Sequence, residues 1–220
     1  MIMNRRNFCT ALSTFLGFSI HDSYARANNN PRCGVKDVMG SIFEKKSKWG
    51  KNHLTYYIHG RDHGDLPRTV WDNEFRLAFD AWSEITPLVF EETIRQRQAD
   101  IVISVGRRWK ESFGVRGGVL AWAEMPSSND YDGVLWTKFD LAEKWVLPED
   151  WIHGAVLRSV AAHEIGHLLG LDHSNDEDAL MYPYINNALK PRDDDITKIQ
   201  KLYGPLATIA ERHLYNYQDA

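Results

Sequence analysis

The sequence is poor in cysteine: it has only two, Cys9 and Cys33, among 220 residues. Cys9 lies within an N-terminal apolar segment, residues 8–20, that has the form of an export signal. If that segment is removed, Cys33 is the only cysteine left, and a disulfide framework within one chain is excluded. A single cysteine in an exported protein can be an intermolecular link, a free thiol or a metal ligand.

The sequence also lacks long apolar runs and any excess of basic charge. No apolar run reaches about 18 residues, so no membrane-spanning helix is expected. The net charge of −4 gives no basic surface suited to nucleic acid. Hydrophobic residues make up 43% of the chain, which is enough for a substantial core. We therefore expect one domain with a short appendage, acting as a monomer.

Residues 1–27 have the features of a signal peptide. Arg5 and Arg6 form a charged start, residues 8–20 form an apolar run too short to span a membrane, and Ala-Arg-Ala at 25–27 is a small-x-small cleavage site. We expect secretion to the extracellular space. Two alternatives stay open: twin-arginine export to a periplasm, suggested by the arginine pair, and a segment that is not cleaved.

Hydrophobic periodicity predicts an alternation of strands and helices. Helices are expected between Leu66 and Pro87, over 155–169 and over 193–203, because apolar residues recur there at helical spacing or capping signals bound the segment. Strands are expected where β-forming residues cluster, at 54–58, 88–92, 100–105, 117–124 and 134–140. This order predicts an α/β (α+β) fold in which helices pack on one twisted sheet.

The stretch HEIGHLLGLDH, residues 163–173, has the spacing of a metal site. His163 and His167 are four residues apart, so on a helix they lie on one face, one turn apart. Two imidazoles so placed can share one zinc ion, and the glycine that follows lets the chain return His173 as a third ligand. Three protein ligands leave a fourth position open, as in catalytic zinc sites.

This H-E-x-x-H-x-x-G-x-x-H pattern is the metzincin signature, and within that clan the chain resembles the matrixins. Ser174 follows the third histidine as it does in matrixins, and ALMYP at 179–183 is similar to the family's Met-turn, with Met181 beneath the ligands. Other segments similar to matrixins occur in family order, so the resemblance covers about residues 31–204. These segments are KWGKNHLTYYI, FDAWSEITPLVF, ADIVI and DDDITKIQKLYG.

The resemblance implies a metzincin-type fold with a mostly parallel sheet and a C-terminal subdomain that carries the Met-turn. It divides the chain into a signal peptide at 1–27, a short pro-segment at 28–48, a catalytic domain at 49–204 and a tail at 205–220. No hemopexin-like repeat is recognisable after residue 204. The implied function is that of a secreted zinc endopeptidase acting on extracellular proteins.

PRCGVKDV, residues 31–38, resembles the matrixin cysteine switch. The resemblance implies that Cys33 takes the fourth zinc position and keeps the enzyme latent, since a thiolate is a strong soft ligand. It also implies that Arg32 and Asp37 pair to hold the loop. Lys36 stands where the family has proline, and few residues precede Cys33, so we expect weak latency and easy self-activation by a cut within 39–48. The alternative is an exposed loop cysteine.

The resemblance assigns the catalytic proton transfer to Glu164, which would take a proton from the attacking water and pass it to the leaving nitrogen. A strand near 119–123 would pair with an extended substrate. A pocket for a hydrophobic substrate side chain is expected, although Ser159 is smaller than the residue that many matrixins carry there. Its lining residues would be Ser159, His163, Pro183 and Tyr184.

The chain departs from the family at the other metal sites. Trp122 and Lys138 replace histidines that bind a structural zinc in most matrixins, and no histidine occurs in 107–116. We therefore expect the second zinc to be absent. Asp140 and Glu143 match the spacing of a family calcium pair, and they are either calcium ligands or ordinary surface carboxylates.

Two competing functions stay open. One is a zinc module that captures peptides without cleaving them, which the presence of Glu164 argues against. The other is a different metzincin branch, which Ser174 and the Cys33 motif argue against. Asp194 and Asp195 align with family aspartates that anchor the Met-turn and a new N-terminus, or they are simple charges at a helix start.

Overall fold

The computed structural model describes residues 31–35, 47–60, 64, 66–106, 113 and 116–206. The expected signal peptide, most of the expected pro-segment and residues 207–220 lie outside the described residues. Asp37 and Lys36 of the Cys33 motif are also outside them. In the part of the chain that is described, no helix is long and apolar enough to cross a membrane.

A six-stranded sheet forms the centre of the fold. Its strands lie in the order β1-β5-β6-β4-β2-β3, so the first strand in sequence lies at one edge. The strands are β1 (Arg32–Cys33), β2 (His53–His59), β3 (Val89–Glu92), β4 (Ile101–Gly106), β5 (Val119–Ala123) and β6 (Leu135–Asp140). All the neighbouring pairs are parallel except β5 with β6. The expected mostly parallel sheet is confirmed.

Strand β4 lies inside the sheet and is mostly apolar. Residues 101–105 are all buried, which is the burial pattern of a strand covered on both sides. By contrast β2 alternates between buried and accessible residues, with Leu54, Tyr56 and Ile58 buried. One face of β2 is therefore covered and the other is open to solvent.

Among the described residues, the α-helices with defined bounds are α1 (Arg68–Ser83), α2 (Leu157–Leu168) and α3 (Asp193–Tyr203). Helix α1 buries a face that includes Trp71, Phe75 and Trp82, the periodic residues that predict it. Nearly every residue of α2 is buried, so it is a core helix rather than a surface one. The Trp82 indole donates a hydrogen bond to the Ala162 carbonyl at 2.9 Å, which joins α1 to α2.

A short strand pair just before α2 is not predicted by the sequence patterns. Strands β7 (Trp145–Val146) and β8 (Ala155–Val156) are parallel and enclose a 3₁₀ turn, Pro148–His153. Two-residue strands have too few residues to show a period of two, and only the closure of this loop pairs them. The expected helix at 155–169 consequently begins two residues later, at Leu157.

An ion pair fixes the start of α2 against α1. The Arg158 guanidinium donates to both carboxylate oxygens of Glu74, with each N–O distance 2.9 Å. The Glu74 side chain is only 3% exposed and that of Arg158 is 25% exposed. A two-pronged contact of this kind restrains both the rotation and the position of the helix.

We expect Arg158→Ala to lower the free energy of unfolding by about 3 kcal/mol, because it leaves the buried Glu74 carboxylate without its charged partner. Urea denaturation measures this directly. The matched control is Arg76→Ala, which removes an arginine from a helix pair with Asp80 whose side chains are 55% and 49% exposed. That change should cost less than about 1 kcal/mol. Equal losses in the two variants would contradict the assignment.

Candidate zinc centre

Helix α2 and the chain reversal after it bring three histidines together. His163 and His167 lie on the buried face of α2, and the helix ends at Leu168. Gly170 then takes a φ of 99°, a conformation that side chains other than glycine disfavour. A Cβ atom there would also lie 2.1 Å from the Ser47 carbonyl oxygen. This reversal returns the chain so that His173 faces the helix.

The three imidazoles face each other through the same ring atom. The Nε2 atom of His167 lies 3.2 Å from the Nε2 atoms of both His163 and His173. The rings of His163 and His167 are close to perpendicular, at 78°. The spacing of four predicted from the sequence therefore produces one convergent cluster.

Hydrogen bonds on the far side of two rings settle which nitrogen faces the cluster. His163 Nδ1 lies 2.7 Å from the Leu180 carbonyl oxygen, and His167 Nδ1 lies 2.7 Å from that of Leu171. A carbonyl only accepts, so each Nδ1 carries the proton and each Nε2 presents a lone pair. The pKa of His163 is lowered to about 3, chiefly by burial and to a lesser extent by the nearby His173, while the Leu180 bond opposes both effects.

Cys33 completes the cluster from a distant part of the sequence. Its Sγ atom lies 3.4 Å from His167 Nε2, and the residue is 3% exposed. The ligand atoms of Cys33, His163, His167 and His173 all lie within 4.8 Å of one another. The Cys33 side chain is thus a buried member of the cluster rather than an exposed loop thiol.

The donor set and its spacing fit zinc. Tetrahedral zinc with ordinary bond lengths separates two nitrogens by about 3.3 Å and a nitrogen from a sulfur by about 3.6 Å. The measured separations of 3.2 Å and 3.4 Å are close to these values. The inward lone pairs of His163 and His167 repel each other at this distance unless a cation lies between them. Three imidazoles and a thiolate are also the ligand types that zinc prefers.

Glu164 lies beside the cluster with little compensation for its charge. The residue is fully buried, and neither carboxylate oxygen has a hydrogen-bonding partner of ordinary geometry among the described residues. Burial raises its pKa to about 8, and the neighbouring Cys33 thiol offsets only part of this effect. A buried carboxylate without a hydrogen-bonding partner in the protein is suited to bind a ligand or a water molecule that enters the site.

The segment around Met181 packs against helix α2 next to the cluster. Met181 is fully buried, and a Cβ atom placed on Gly166 of α2 would lie 2.3 Å from its Sδ atom. The Asp195 carboxylate accepts hydrogen bonds from the backbone N–H groups of Leu180 and Met181 at 2.7 Å and 3.0 Å. Asp195 therefore anchors this turn, while Asp194 contacts Ser174 and Lys198.

The strand that carries Cys33 occupies a cleft between β5 and residues 183–185. The backbone N–H groups of Arg32 and Gly34 donate to the carbonyls of Gly118 and Ala121 on one side. On the other side the Cys33 N–H donates to the Pro183 carbonyl at 3.0 Å, and the Pro31 carbonyl accepts from Ile185 at 3.1 Å. The segment is thus hydrogen-bonded along both of its edges.

Comparison with known proteins places the chain in a family. The matrixin family model matches residues 48–204. The chain belongs to the matrixin family. It is 41% identical to stromelysin-2 of Rattus norvegicus over 185 residues and 40% identical to interstitial collagenase of Equus caballus over 181 residues. Each alignment covers 80% of this chain and 37% of the relative, so this matrixin spans well under half of those proteins.

The zinc prediction and the fold prediction made for this matrixin are confirmed, whereas several residue assignments stay predictions. Ser159 is buried at the start of α2, and Pro183 and Tyr184 line the cleft wall. Arg32 is exposed, and its predicted partner Asp37 lies outside the described residues. The Arg32–Asp37 pair and the substrate pocket therefore stay predictions.

The residues at the positions of the other matrixin metal sites make contacts with other groups of the protein. Trp122 pairs with Lys138 across β5 and β6, and the Lys138 ammonium lies 4.6 Å from the indole centroid. Glu143 accepts a hydrogen bond from the Gly117 N–H at 2.7 Å, and Asp140 accepts one from the Ala142 N–H. Burial raises the pKa of Glu143, while its Gly117 bond lowers it. Calcium binding and the absence of a second zinc stay predictions.

Among the described residues, one group of three or more histidine, cysteine or carboxylate side chains converges within ligand distance, and it is the cluster that the sequence predicts. The sequence reasoning missed the contact between Gly166 and Met181. A glycine inside a helix that is otherwise apolar is the signal that could have indicated it, because such a glycine often marks close packing.

We expect Gly166→Ala to destabilise the protein by about 1–3 kcal/mol, because the added methyl group overlaps the Met181 sulfur and the Met181 side chain must shift. Thermal or urea unfolding checks this. Gly106→Ala is the matched control, since a Cβ atom there meets nothing within 4 Å. It should change stability by less than about 0.5 kcal/mol. A Gly166→Ala protein as stable as the control would show that Met181 does not pack as described.

Proposed function

We propose that this matrixin is a secreted zinc-dependent endopeptidase whose own Cys33 keeps it latent. The observation that carries the proposal is the convergence of His163, His167 and His173 beside a buried Glu164 whose charge has little compensation, with Cys33 at the same point. Three histidines with a fourth position open to exchange are typical of catalytic zinc sites, whereas structural sites are closed by permanent ligands.

In the proposed mechanism, His163, His167 and His173 hold the zinc ion through Nε2. Zinc bound there supplies Lewis-acid chemistry: it acidifies water and polarises a carbonyl group. Glu164 takes a proton from the attacking water at its carboxylate and later gives it to the nitrogen that leaves. The buried setting of Glu164 excludes bulk water, which strengthens its interaction with groups brought into the site.

The cleft between β5 and residues 183–185 is the proposed position of the substrate backbone. The Ala121, Gly118 and Pro183 carbonyls and the Ile185 N–H, which bind the Cys33 segment, would bind an extended peptide in its place. Backbone pairing of this kind gives affinity without regard to sequence. Selectivity would come from the pocket proposed at Ser159, Pro183 and Tyr184, which would take a hydrophobic side chain.

The proposed latency rests on the same backbone contacts. While Cys33 lies against the histidines, the fourth ligand position and part of the cleft are both filled, so neither water nor substrate can take its place. Lys36 stands where the family has proline, which should loosen the loop that carries Cys33. We therefore expect easy self-activation by a cut within residues 39–48.

We also propose that the chain leaves the cell through an ordinary signal peptide at 1–27, acts as a monomer and cleaves extracellular proteins. The comparisons give no support to the twin-arginine alternative, which would have led to a periplasm. Arg32 and Asp37 are proposed to stabilise the pro-segment as a pair. Asp140 and Glu143 are proposed as a calcium pair. Calcium would have to displace the hydrogen bond that Glu143 accepts from the Gly117 N–H.

We expect Glu164→Gln to lower kcat/KM for peptide cleavage by about a thousandfold, because the amide cannot accept the proton from water. The measurement is cleavage of a peptide library, with and without a chelator, together with zinc content per chain. Wild type should hold one zinc and lose activity with the chelator, and Glu164→Gln should keep its zinc. The control is Glu177→Gln, which changes an exposed carboxylate.

Two outcomes would overturn the enzymatic proposal. One is cleavage by Glu164→Gln at the rate of the control, and the other is wild-type cleavage that the chelator does not affect. Peptide binding without any cleavage would favour the capture module instead. A zinc content of two per chain would contradict the expected absence of the structural zinc.

We expect Cys33→Ser to raise the initial activity of the full chain severalfold, since a hydroxyl is a weaker zinc ligand than a thiolate. Initial rates before any self-cleavage measure this. Gly34→Ala should act in the same direction, because its Cβ atom would lie 2.6 Å from Val119 Cγ1 and would push the segment out of the cleft. If both variants start at the wild-type rate, the latency proposal is wrong.

A further inference from the structure

A cavity of about 590 Å³ lies at the end of the cleft where Pro31 enters. Pro31, Leu120 and Ile185 line it, so it is continuous with the cleft that holds the Cys33 segment. Its outer wall comes from the 3₁₀ turn Pro148–His153, through Trp151 and Ile152. Its lining does not include the residues of the substrate pocket expected at Ser159, Pro183 and Tyr184.

The outer wall consists of two large apolar side chains that the fold leaves exposed. Trp151 is 57% exposed and Ile152 is 68% exposed, and they are neighbours in sequence. Adjacent exposed hydrophobic residues that also line a cavity mark binding surfaces more often than chance placements do. Trp151 also lines a second cavity of about 400 Å³, together with Val156 and Leu189.

The turn that presents these side chains is held firmly. Strands β7 and β8 pair directly on either side of it, and the Ala155 N–H donates to the Lys144 carbonyl at 2.9 Å. A Cβ atom on Gly154 would lie 2.3 Å from the same carbonyl oxygen, which shows how closely the two ends of the turn approach. Trp151 and Ile152 are therefore carried by a closed loop rather than by a long free one.

The backbone ladder of the cleft directs a bound peptide into this cavity. Pro31 is hydrogen-bonded to Ile185, and Arg32 to Gly118, two and one residues away from Cys33. An extended peptide that uses these groups places a residue about two or three positions from the reacting bond at the mouth of the cavity. The side chain of that residue then meets Leu120, Ile185 and Trp151.

The cavity is lined by charged groups of both signs, which partly offset one another. Arg116 and Lys144 are exposed, and the buried Glu143 carboxylate lies in the wall, bonded to the Gly117 N–H. A buried carboxylate disfavours a second anion close by, so the interior suits an uncharged group better than an acidic one. Its volume accommodates an aromatic side chain with room to spare.

We propose that this cavity is a substrate subsite, walled by Trp151 and Ile152, for a bulky apolar side chain two or three residues from the cleaved bond. The inference rests on the proposed peptidase function, because the occupant is a peptide in the cleft. The subsite is distinct from the pocket at Ser159, and it adds a second point of apolar selectivity along the same peptide.

The test uses full-length chains that carry Cys33→Ser, so that the plug is weakened equally in all variants. Quenched-fluorescence peptides differ only at one position, two or three residues to either side of the cut, with Phe, Leu, Ala, Asp or Lys there. At one such position, kcat/KM for Phe or Leu should exceed that for Ala by about tenfold. Trp151→Ala and Ile152→Ala should each reduce this ratio markedly.

Ile94→Ala is the matched control, because Ile94 is 90% exposed and follows β3, at the opposite edge of the sheet from β5. It should leave the tenfold preference unchanged, and Trp151→Phe should retain most of it. A preference for Asp over Phe would assign the cavity to acidic side chains, through Arg116 and Lys144, and would overturn the proposal. An undiminished Phe preference in both alanine variants would overturn it as well.

A binding measurement separates failure of the subsite from failure of the peptidase proposal. The Glu164→Gln chain, with Cys33→Ser, is titrated with labelled Phe and Ala peptides, and their affinities are compared by fluorescence anisotropy. If no chain cleaves peptides but the Phe peptide binds about tenfold more tightly and Trp151→Ala removes the difference, the subsite stands and the peptidase proposal falls. Chelator-sensitive cleavage with no preference for Phe would overturn the subsite and leave the peptidase proposal standing.

Discussion

The whole site depends on one electrostatic constraint, the convergence of three imidazole nitrogens and a thiol sulfur inside the protein. Two of the rings are fixed from behind by the Leu180 and Leu171 carbonyls, so they cannot turn away without losing a buried hydrogen bond. A cation relieves the repulsion without any movement of these side chains. The surrounding fold therefore holds the ligands in place in advance, and this pre-organisation is what makes a zinc site both tight and selective.

The supports of this arrangement lie at both ends of helix α2 and beneath it. At its start Arg158 is held by Glu74, and at its end the Leu168 carbonyl accepts a hydrogen bond from the Trp49 indole at 2.8 Å. Beneath it, Met181 packs against Gly166, and Asp195 fixes the backbone of the Met-turn. Because the helix is held in place, the position of His163 and His167 relative to His173 is held as well.

The sequence predicts the parts of the site that local geometry controls. The spacing of His163 and His167, the glycine reversal and the bounds of α3 follow from helix periodicity and capping, and the structure agrees with them. The contact of Cys33 with the histidines is predicted by the family resemblance rather than by local rules. The turn that carries Trp151 is not predicted, because its two-residue strands form only when distant segments close the loop. The exposure of Trp151 likewise depends on tertiary packing, which the spacing of apolar residues in the sequence does not predict.

The proposed plug, Cys33, belongs to the same chain as the site that it fills. A covalent tether of this kind keeps the local concentration of the thiol in the millimolar range, which raises its occupancy of the site above that of the same segment free in solution. Cutting the chain between Val35 and Ser47 ends this advantage, because the released segment is diluted into the surrounding volume. Under the proposed latency, activation is therefore irreversible because the released segment rarely meets the site again. An uncut connection between Cys33 and the catalytic domain then matters more than the strength of the zinc–sulfur bond.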